Sequence, residues 1–87
     1  MSLRDLRNLG PTTERMLRDV GIETEADLRG VGAPMAFALL RYRFRSRVNR
    51  LFLYALAGAL ADRHWNSFSA EEKAALAAEA DGDLDVG

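Results

Sequence analysis

Residues 48–61, VNRLFLYALAGALA, are apolar around nearly the whole circumference of the helix that this stretch predicts. Such a helix has to be covered on most sides, because its apolar side chains would otherwise face water. In a chain of 87 residues, the cover has to come from every other helix or from a second copy of the chain. Gly58 costs about 1 kcal/mol relative to alanine inside a helix, so we interpret it as the mark of a close helix–helix approach.

Residues 6–32 consist mainly of signals that start and stop helices. Pro11 suits the first turn of a helix, and Gly21 is typical of a helix end. Thr24, with Asp27 three residues later, is a short form of the capping box that begins a helix. These signals predict two short helices joined by a glycine-containing turn.

Three further helices are predicted after this hairpin. Pro34 begins the third helix, and Ser46 is a candidate N-cap for the apolar helix. Ser69 with Glu72 forms a complete capping box at the start of the last helix. We therefore predict an all-α fold, a compact bundle of about five helices whose N-terminal hairpin packs on the central apolar helix.

Charge is divided unevenly along the chain. Residues 1–50 carry a net charge of +4 and residues 51–87 a net charge of −5, which together give −1. A dedicated nonspecific DNA-binding domain is usually strongly basic. The charge of this chain is therefore compatible only with a local basic surface. Residues 81–87 are acidic and interrupted by glycine, so we predict a disordered tail after a single domain over residues 1–80.

The most basic stretch, RYRFRSRVNR, covers residues 41–50. Arginines interleaved with aromatic residues are typical of a surface that binds nucleic acid. The alternative is a solvated helix end, because cations favour the last turn of a helix, where the free carbonyls carry partial negative charge. The sequence leaves both interpretations open.

Signatures of an enzyme are missing from the sequence. It contains no glycine-rich phosphate loop with a lysine, and no nucleophile is paired with a base. Cysteine is absent and His64 is the only histidine, so a metal site would need a carboxylate set that the sequence does not offer. We predict a binding module rather than an enzyme, with no catalytic residue, metal, cofactor or small-molecule substrate.

Targeting signals do not point to a membrane or to export. No run of about 18 uncharged apolar residues is present that could span a bilayer. The first five residues, MSLRD, carry charge where a signal peptide needs an apolar run. With no cysteine either, we expect a cytoplasmic protein.

Residues 6–13, LRNLGPTT, resemble a helix-hairpin-helix motif, whose pattern is Leu-Pro-Gly-hydrophobic-Gly-Pro-Lys-Thr. In that family the hairpin brings backbone N–H groups close to a DNA phosphate, and the following helix N-terminus adds its partial positive charge. Asn8 stands in place of the first glycine, which is tolerable because asparagine adopts left-handed backbone angles more readily than most residues. Thr12 replaces the usual lysine and so removes a charge that would seek phosphate.

A second resemblance extends over most of the chain. It is carried by the order and spacing of seven short tokens: Leu9-Gly10-Pro11, Gly21-Ile22, Asp27-Leu28, Gly32-Ala33, Leu53-Tyr54-Ala55-Leu56, Gly58-Ala59-Leu60 and Arg63-His64-Trp65. Together these resemble the C-terminal domain of TfoX/Sxy proteins, here as a stand-alone domain. The resemblance implies a small all-helical module similar to helix-hairpin-helix folds, in a family of bacterial regulators of natural competence.

Two functional hypotheses follow. The first is a regulator that contacts DNA or the transcription machinery. Its candidate nucleic-acid-binding residues are Arg7, Asn8, Gly10, Thr12, Arg15, Arg41, Arg43, Arg45, Arg47 and Arg50. The alternative is a protein-interaction or self-association module without DNA contact, in which a partner protein or a second copy completes the burial of the apolar helix.

Overall fold

The computed structural model describes the backbone of residues 3–85 and the side chains of residues 3–80. Five α-helices follow one another: α1 (Pro11–Asp19), α2 (Glu25–Val31), α3 (Ala33–Phe44), α4 (Arg50–Ala61) and α5 (Ala70–Asp85). Short 3-10 turns occur at Leu3–Asp5, Arg45–Arg47 and Trp65–Ser67. Residues 3–85 contain no strand. The predicted all-α bundle of about five helices is confirmed.

The N-terminal hairpin forms as its helix start and stop signals predict. After α1 the chain turns through Gly21 at φ +89°, and Ile22 enters the core with only 2 % of its surface exposed. At the start of α2, the Asp27 amide donates to Thr24 Oγ1 at 3.0 Å, and the Thr24 amide donates to Asp27 Oδ2 at 3.2 Å. A backbone hydrogen bond from Glu23 holds the pKa of Asp27 below its ordinary value. The predicted capping box is confirmed.

Helix α3 packs against each of the other four helices. Ala36, Phe37 and Leu40 of this helix are buried in the core. Helix α4 adds Leu53 and Leu56 to the same core. The N-terminal hairpin packs mainly on α3, and α5 packs on both α3 and α4. The central helix is therefore α3 rather than α4, on which the hairpin was predicted to pack.

Helix α4 is less completely covered than its composition predicts. Leu51 keeps 50 % of its surface exposed, and Phe52 and Ala55 are only partly buried. One side of α4 thus faces the core, and its first two turns leave apolar surface accessible.

Two local predictions about α4 need correction. Its N-cap is Asn49, whose side-chain oxygen accepts from the Leu51 amide at 3.0 Å. Ser46 cannot cap the helix because it lies inside the preceding 3-10 turn. The close approach predicted at Gly58 exists, but it involves the Arg63 carbonyl and the Asn8 side chain rather than another helix.

The last helix begins with the predicted capping box. The Glu72 amide donates to Ser69 Oγ at 3.1 Å, and the Ser69 amide donates to Glu72 Oε1 at 2.9 Å. The helical backbone continues past the expected domain boundary at residue 80 and reaches Asp85. Side chains from residue 81 onward and the backbone of residues 86–87 lie outside the described part of the chain, so the disordered tail over 81–87 stays a prediction. None of the helices described here has the length and apolar character of a membrane span.

Candidate nucleic-acid interface

A groove of ≈ 430 Å³ lies between α1, along its length, and the connection from α3 to α4. Three predicted site residues meet there: Thr12 and Arg15 from α1, and Arg47 from the connection. All three are exposed. The groove, which we call the phosphate groove, is also lined by one acid and three apolar side chains: Asp19, Met16, Phe44 and Phe52.

The first turn of α1 contains backbone donors without an acceptor in the helix, and one residue of that turn, Thr12, lines this groove. Gly10 is the N-cap and provides no side-chain hydrogen bond. The first intrahelical hydrogen bond runs from the Glu14 amide to the Gly10 carbonyl at 3.0 Å. The amides of Thr12 and Thr13 precede it and have no acceptor within the helix. Such amides, together with the helix dipole, favour an anion at this end of α1.

Among the arginines of residues 41–50, two lie close to aromatic rings. Arg43 places its guanidinium carbon 5.2 Å from the centre of the Phe44 ring, and Arg41 lies 6.0 Å from the Phe37 ring. Among the described residues, four of the five form no ion pair with a carboxylate: Arg43, Arg45, Arg47 and Arg50. Their charge is therefore available to a ligand.

Arg41 and Arg45 line a second, shallow groove of ≈ 530 Å³ on the same connection. Tyr42 and Ser46 complete its polar rim, and Val48 lies at its base. Arg45 has a backbone φ of +48°, which is unfavourable for a residue with a Cβ. Of the five arginines between residues 41 and 50, Arg41 and Arg45 thus line this second groove and Arg47 the phosphate groove. Arg43 and Arg50 line neither of them.

The structure gives Asn8 a role that the sequence does not reveal. Its φ of +72° confirms the left-handed backbone. Asn8 Nδ2 donates to the Arg63 carbonyl at 2.7 Å, and Asn8 Oδ1 accepts from the Trp65 amide at 3.2 Å. The side chain thereby fastens the N-terminal turn to the chain that follows α4. Arg7 lies beside this contact, with Nη1 3.5 Å from the Asp62 carbonyl.

Two ion pairs that hold the fold were not predicted. Glu14 keeps only 2 % of its surface exposed and accepts from Arg4 Nη2 at 2.9 Å and from the Arg4 amide at 3.2 Å. Arg63 Nη1 lies 2.7 Å from Glu72 Oε2, and the hydrogen bond from Arg63 lowers the pKa of Glu72 to about 2. The sequence signal for Glu14 was only an acid in the first turn of α1, which by itself predicts dipole compensation.

A third groove, of ≈ 270 Å³, lies on the accessible side of α4. Its lining is mainly apolar: Leu51, Phe52, Ala55 and Trp65, with Asn8 and Thr13 at the polar edge. We call it the apolar groove. No cluster of three or more His, Asp or Glu residues that could hold a metal ion occurs in the described residues.

Two solved structures share this fold. A protein described as uncharacterised, from Listeria monocytogenes in a triclinic crystal form, is 33 % identical with a TM-score of 0.81, over 87 % of this chain and 85 % of that one. A Listeria monocytogenes protein of unknown function in a tetragonal form is 31 % identical with a TM-score of 0.82, over 93 % of this chain and 99 % of that one. No protein with a curated description matches the chain.

The sequence pattern of the TfoX C-terminal domain matches residues 1–80. That match spans the N-terminal hairpin, α3, α4 and the side chains of α5 that the structure describes. The family resemblance is therefore confirmed, and the chain belongs to the TfoX C-terminal domain family.

Proposed function

We propose that this chain is a non-enzymatic module that binds nucleic acid through its sugar–phosphate backbone, at the phosphate groove. The observation that carries the proposal is the meeting of Arg15 and Arg47 beside the uncapped first turn of α1. Two guanidinium groups and the free amide of Thr12 are donors suited to a phosphate oxygen. The unpaired arginines of the connection extend this basic surface along a nucleic-acid strand.

Asp19 sets a limit on the affinity. It lines the phosphate groove together with the arginines, and its charge opposes a phosphate there. With a net charge of −1 for the whole chain, long-range attraction to nucleic acid is weak. Binding should therefore depend on this local surface and should weaken steeply as salt is added.

Fluorescence anisotropy with a labelled duplex and a labelled single strand, over a range of salt concentrations, tests the proposal. Arg15→Ala/Arg47→Ala should lower the slope of log K against log salt by about two, one for each lost phosphate contact. The control is Arg18→Ala/Arg29→Ala, which removes the same charge from exposed positions that do not line the phosphate groove. Because Arg29 also pairs with Glu25 and donates to the Leu60 carbonyl, thermal unfolding verifies that this variant is folded. Asp19→Asn should strengthen binding. Equal effects of the two double variants would contradict the proposal.

The alternative, a self-association or protein-interaction module, remains a prediction. Within α4, Leu51 is the large apolar residue that is half exposed, while Leu53 and Leu56 are buried. A stable interface usually buries about 800 Å² on each partner, which one leucine and a small groove do not supply. Sedimentation velocity over a hundredfold range of protein concentration tests this alternative.

A cytoplasmic location is part of the nucleic-acid-binding proposal, since nucleic acid would be the ligand.

A further inference from the structure

The phosphate groove and the apolar groove adjoin each other. Phe52 lines both of them. Consecutive residues of the first turn of α1 also divide between them, because Thr12 lines the phosphate groove and Thr13 the apolar groove. A ligand whose anionic group is held at the start of α1 therefore has apolar surface within reach of its neighbouring atoms.

The lining of the apolar groove suits a flat aromatic group. Trp65 is partly buried and Phe52 likewise, so each ring is held in place and keeps an accessible portion. Leu51 and Ala55 complete an apolar wall. Aromatic and aliphatic side chains of this kind are the surfaces on which unpaired bases stack.

We infer that the apolar groove receives an unpaired base of a single-stranded nucleic acid whose phosphate lies in the phosphate groove. This inference rests on the proposed function and specifies its ligand. In a duplex the bases are stacked and paired, so a strand bound by its phosphates alone does not fill the apolar groove. The module should prefer single strands to duplexes.

Recognition of the base should be tolerant of sequence. Both polar atoms of the Asn8 side chain are already engaged, with the Arg63 carbonyl and the Trp65 amide. Thr13 is then the polar residue of the lining that has no hydrogen bond from its side chain within the described chain. A single hydroxyl beside an apolar wall can bind a base but distinguishes little among the four types of base.

Trp65 is the only tryptophan of the sequence and thus reports directly on this groove. The protein is titrated with three probes of equal length and label: oligothymidylate, an abasic single strand and a duplex. Anisotropy gives the affinity and tryptophan fluorescence reports contact with the base. We expect oligothymidylate to bind about fivefold or more tightly than the abasic strand and to quench Trp65, and we expect the other two probes to leave its emission unchanged.

A matched pair of variants locates the base. Ala55→Leu fills the apolar groove and should reduce oligothymidylate binding to the abasic level, without weakening the abasic strand. Ala61→Leu adds the same side chain at an exposed position of α4 outside the groove and should preserve the difference. Thermal unfolding of both variants verifies that they are folded, and unchanged abasic binding shows that the phosphate groove is intact.

Failure of this inference is distinct from failure of the proposed function. Equal, salt-dependent affinity for the abasic and thymidylate strands, with no change in Trp65 emission, would overturn the base site and leave phosphate binding in place. No binding of any probe would overturn both. Concentration-dependent association that Ala55→Leu abolishes would assign the apolar groove to a second copy of the chain instead.

Discussion

The connections before and after α4 are built from similar residues and behave differently. Each contains a non-glycine residue at positive φ, Arg45 at +48° and Asp62 at +54°, and each carries arginine. After α4, Arg63 donates to the Ser67 carbonyl at 3.0 Å and to Glu72, and its guanidinium carbon lies 4.2 Å from the centre of the Phe68 ring. Before α4, Arg45 and Arg47 form no ion pair with a carboxylate of the described residues.

The difference shows that the partner, rather than the residue type, decides what an arginine does. A guanidinium that meets a carboxylate and a carbonyl of its own chain stabilises a loop. One that faces solvent next to an uncapped helix start can bind a ligand. We call the chain after α4 the closed connection, because its arginine is paired within the protein and stabilises the fold. We call the chain before α4 the open connection, because its arginines face solvent and take part in the proposed function.

The largest expected effect on the free energy of unfolding comes from a substitution at the closed connection. Gly58→Ala places a methyl group against the Arg63 carbonyl and Asn8 Nδ2. Alanine favours a helix by about 1 kcal/mol, yet we expect a net loss of about 2 kcal/mol in the free energy of unfolding, because backbone atoms cannot move aside easily. Urea denaturation measures it. Gly30→Ala is the matched control, since a Cβ there meets nothing within 4 Å, and it should raise stability.

A smaller effect of opposite sign is expected at the open connection. Arg45→Gly relieves the positive φ and should raise the free energy of unfolding by about 1 kcal/mol, while lowering the salt slope of nucleic-acid binding by about one. Arg43→Gly removes the same charge inside helix α3 and should lower stability by about 1 kcal/mol instead. Destabilisation by both changes in denaturant titrations would show that Arg45 is not strained.

The smallest effect is the acid dependence of the closed connection. The pKa of Glu72 falls from 4.5 to about 2, chiefly through its hydrogen bond from Arg63. Because the folded pKa is the lower one, this stabilisation is present above the ordinary pKa and is lost as pH falls toward 2. The melting temperature of Glu72→Gln should thus lie below that of the unaltered chain at pH 6, and the gap should narrow below about pH 4.5 and close as the pH falls through about 2. Glu71→Gln, at the neighbouring exposed position, is the control variant.

Features decided by neighbours in sequence were predictable. The capping boxes at Thr24 and Ser69 follow from residues three positions apart, and the structure contains both. Pro11 and Pro34 mark the first turns of α1 and α3. Asn49 was missed as an N-cap because Ser46 carries a similar local signal, and the choice between them depends on where the 3-10 turn ends.

Features decided by distant residues were not predictable. The pattern of residues 41–50 identified the arginines, but the phosphate groove exists only because α1 lies beside Arg47. The burial of Glu14 requires Arg4 to reach it from the preceding 3-10 turn. Gly58 signalled a close approach, whereas its partners come from two connections that no helical periodicity describes.

The Asn8 contact also has a consequence for how the chain reaches its native state. It joins residues 55 and 57 positions apart, whereas the hairpin and the capping boxes use near neighbours that can meet early. Asn8 can engage its partners only once α4 is in place, so this contact should form after the folding transition state. Asn8→Gly, which keeps the left-handed backbone, is then expected to accelerate unfolding and to leave the folding rate nearly unchanged.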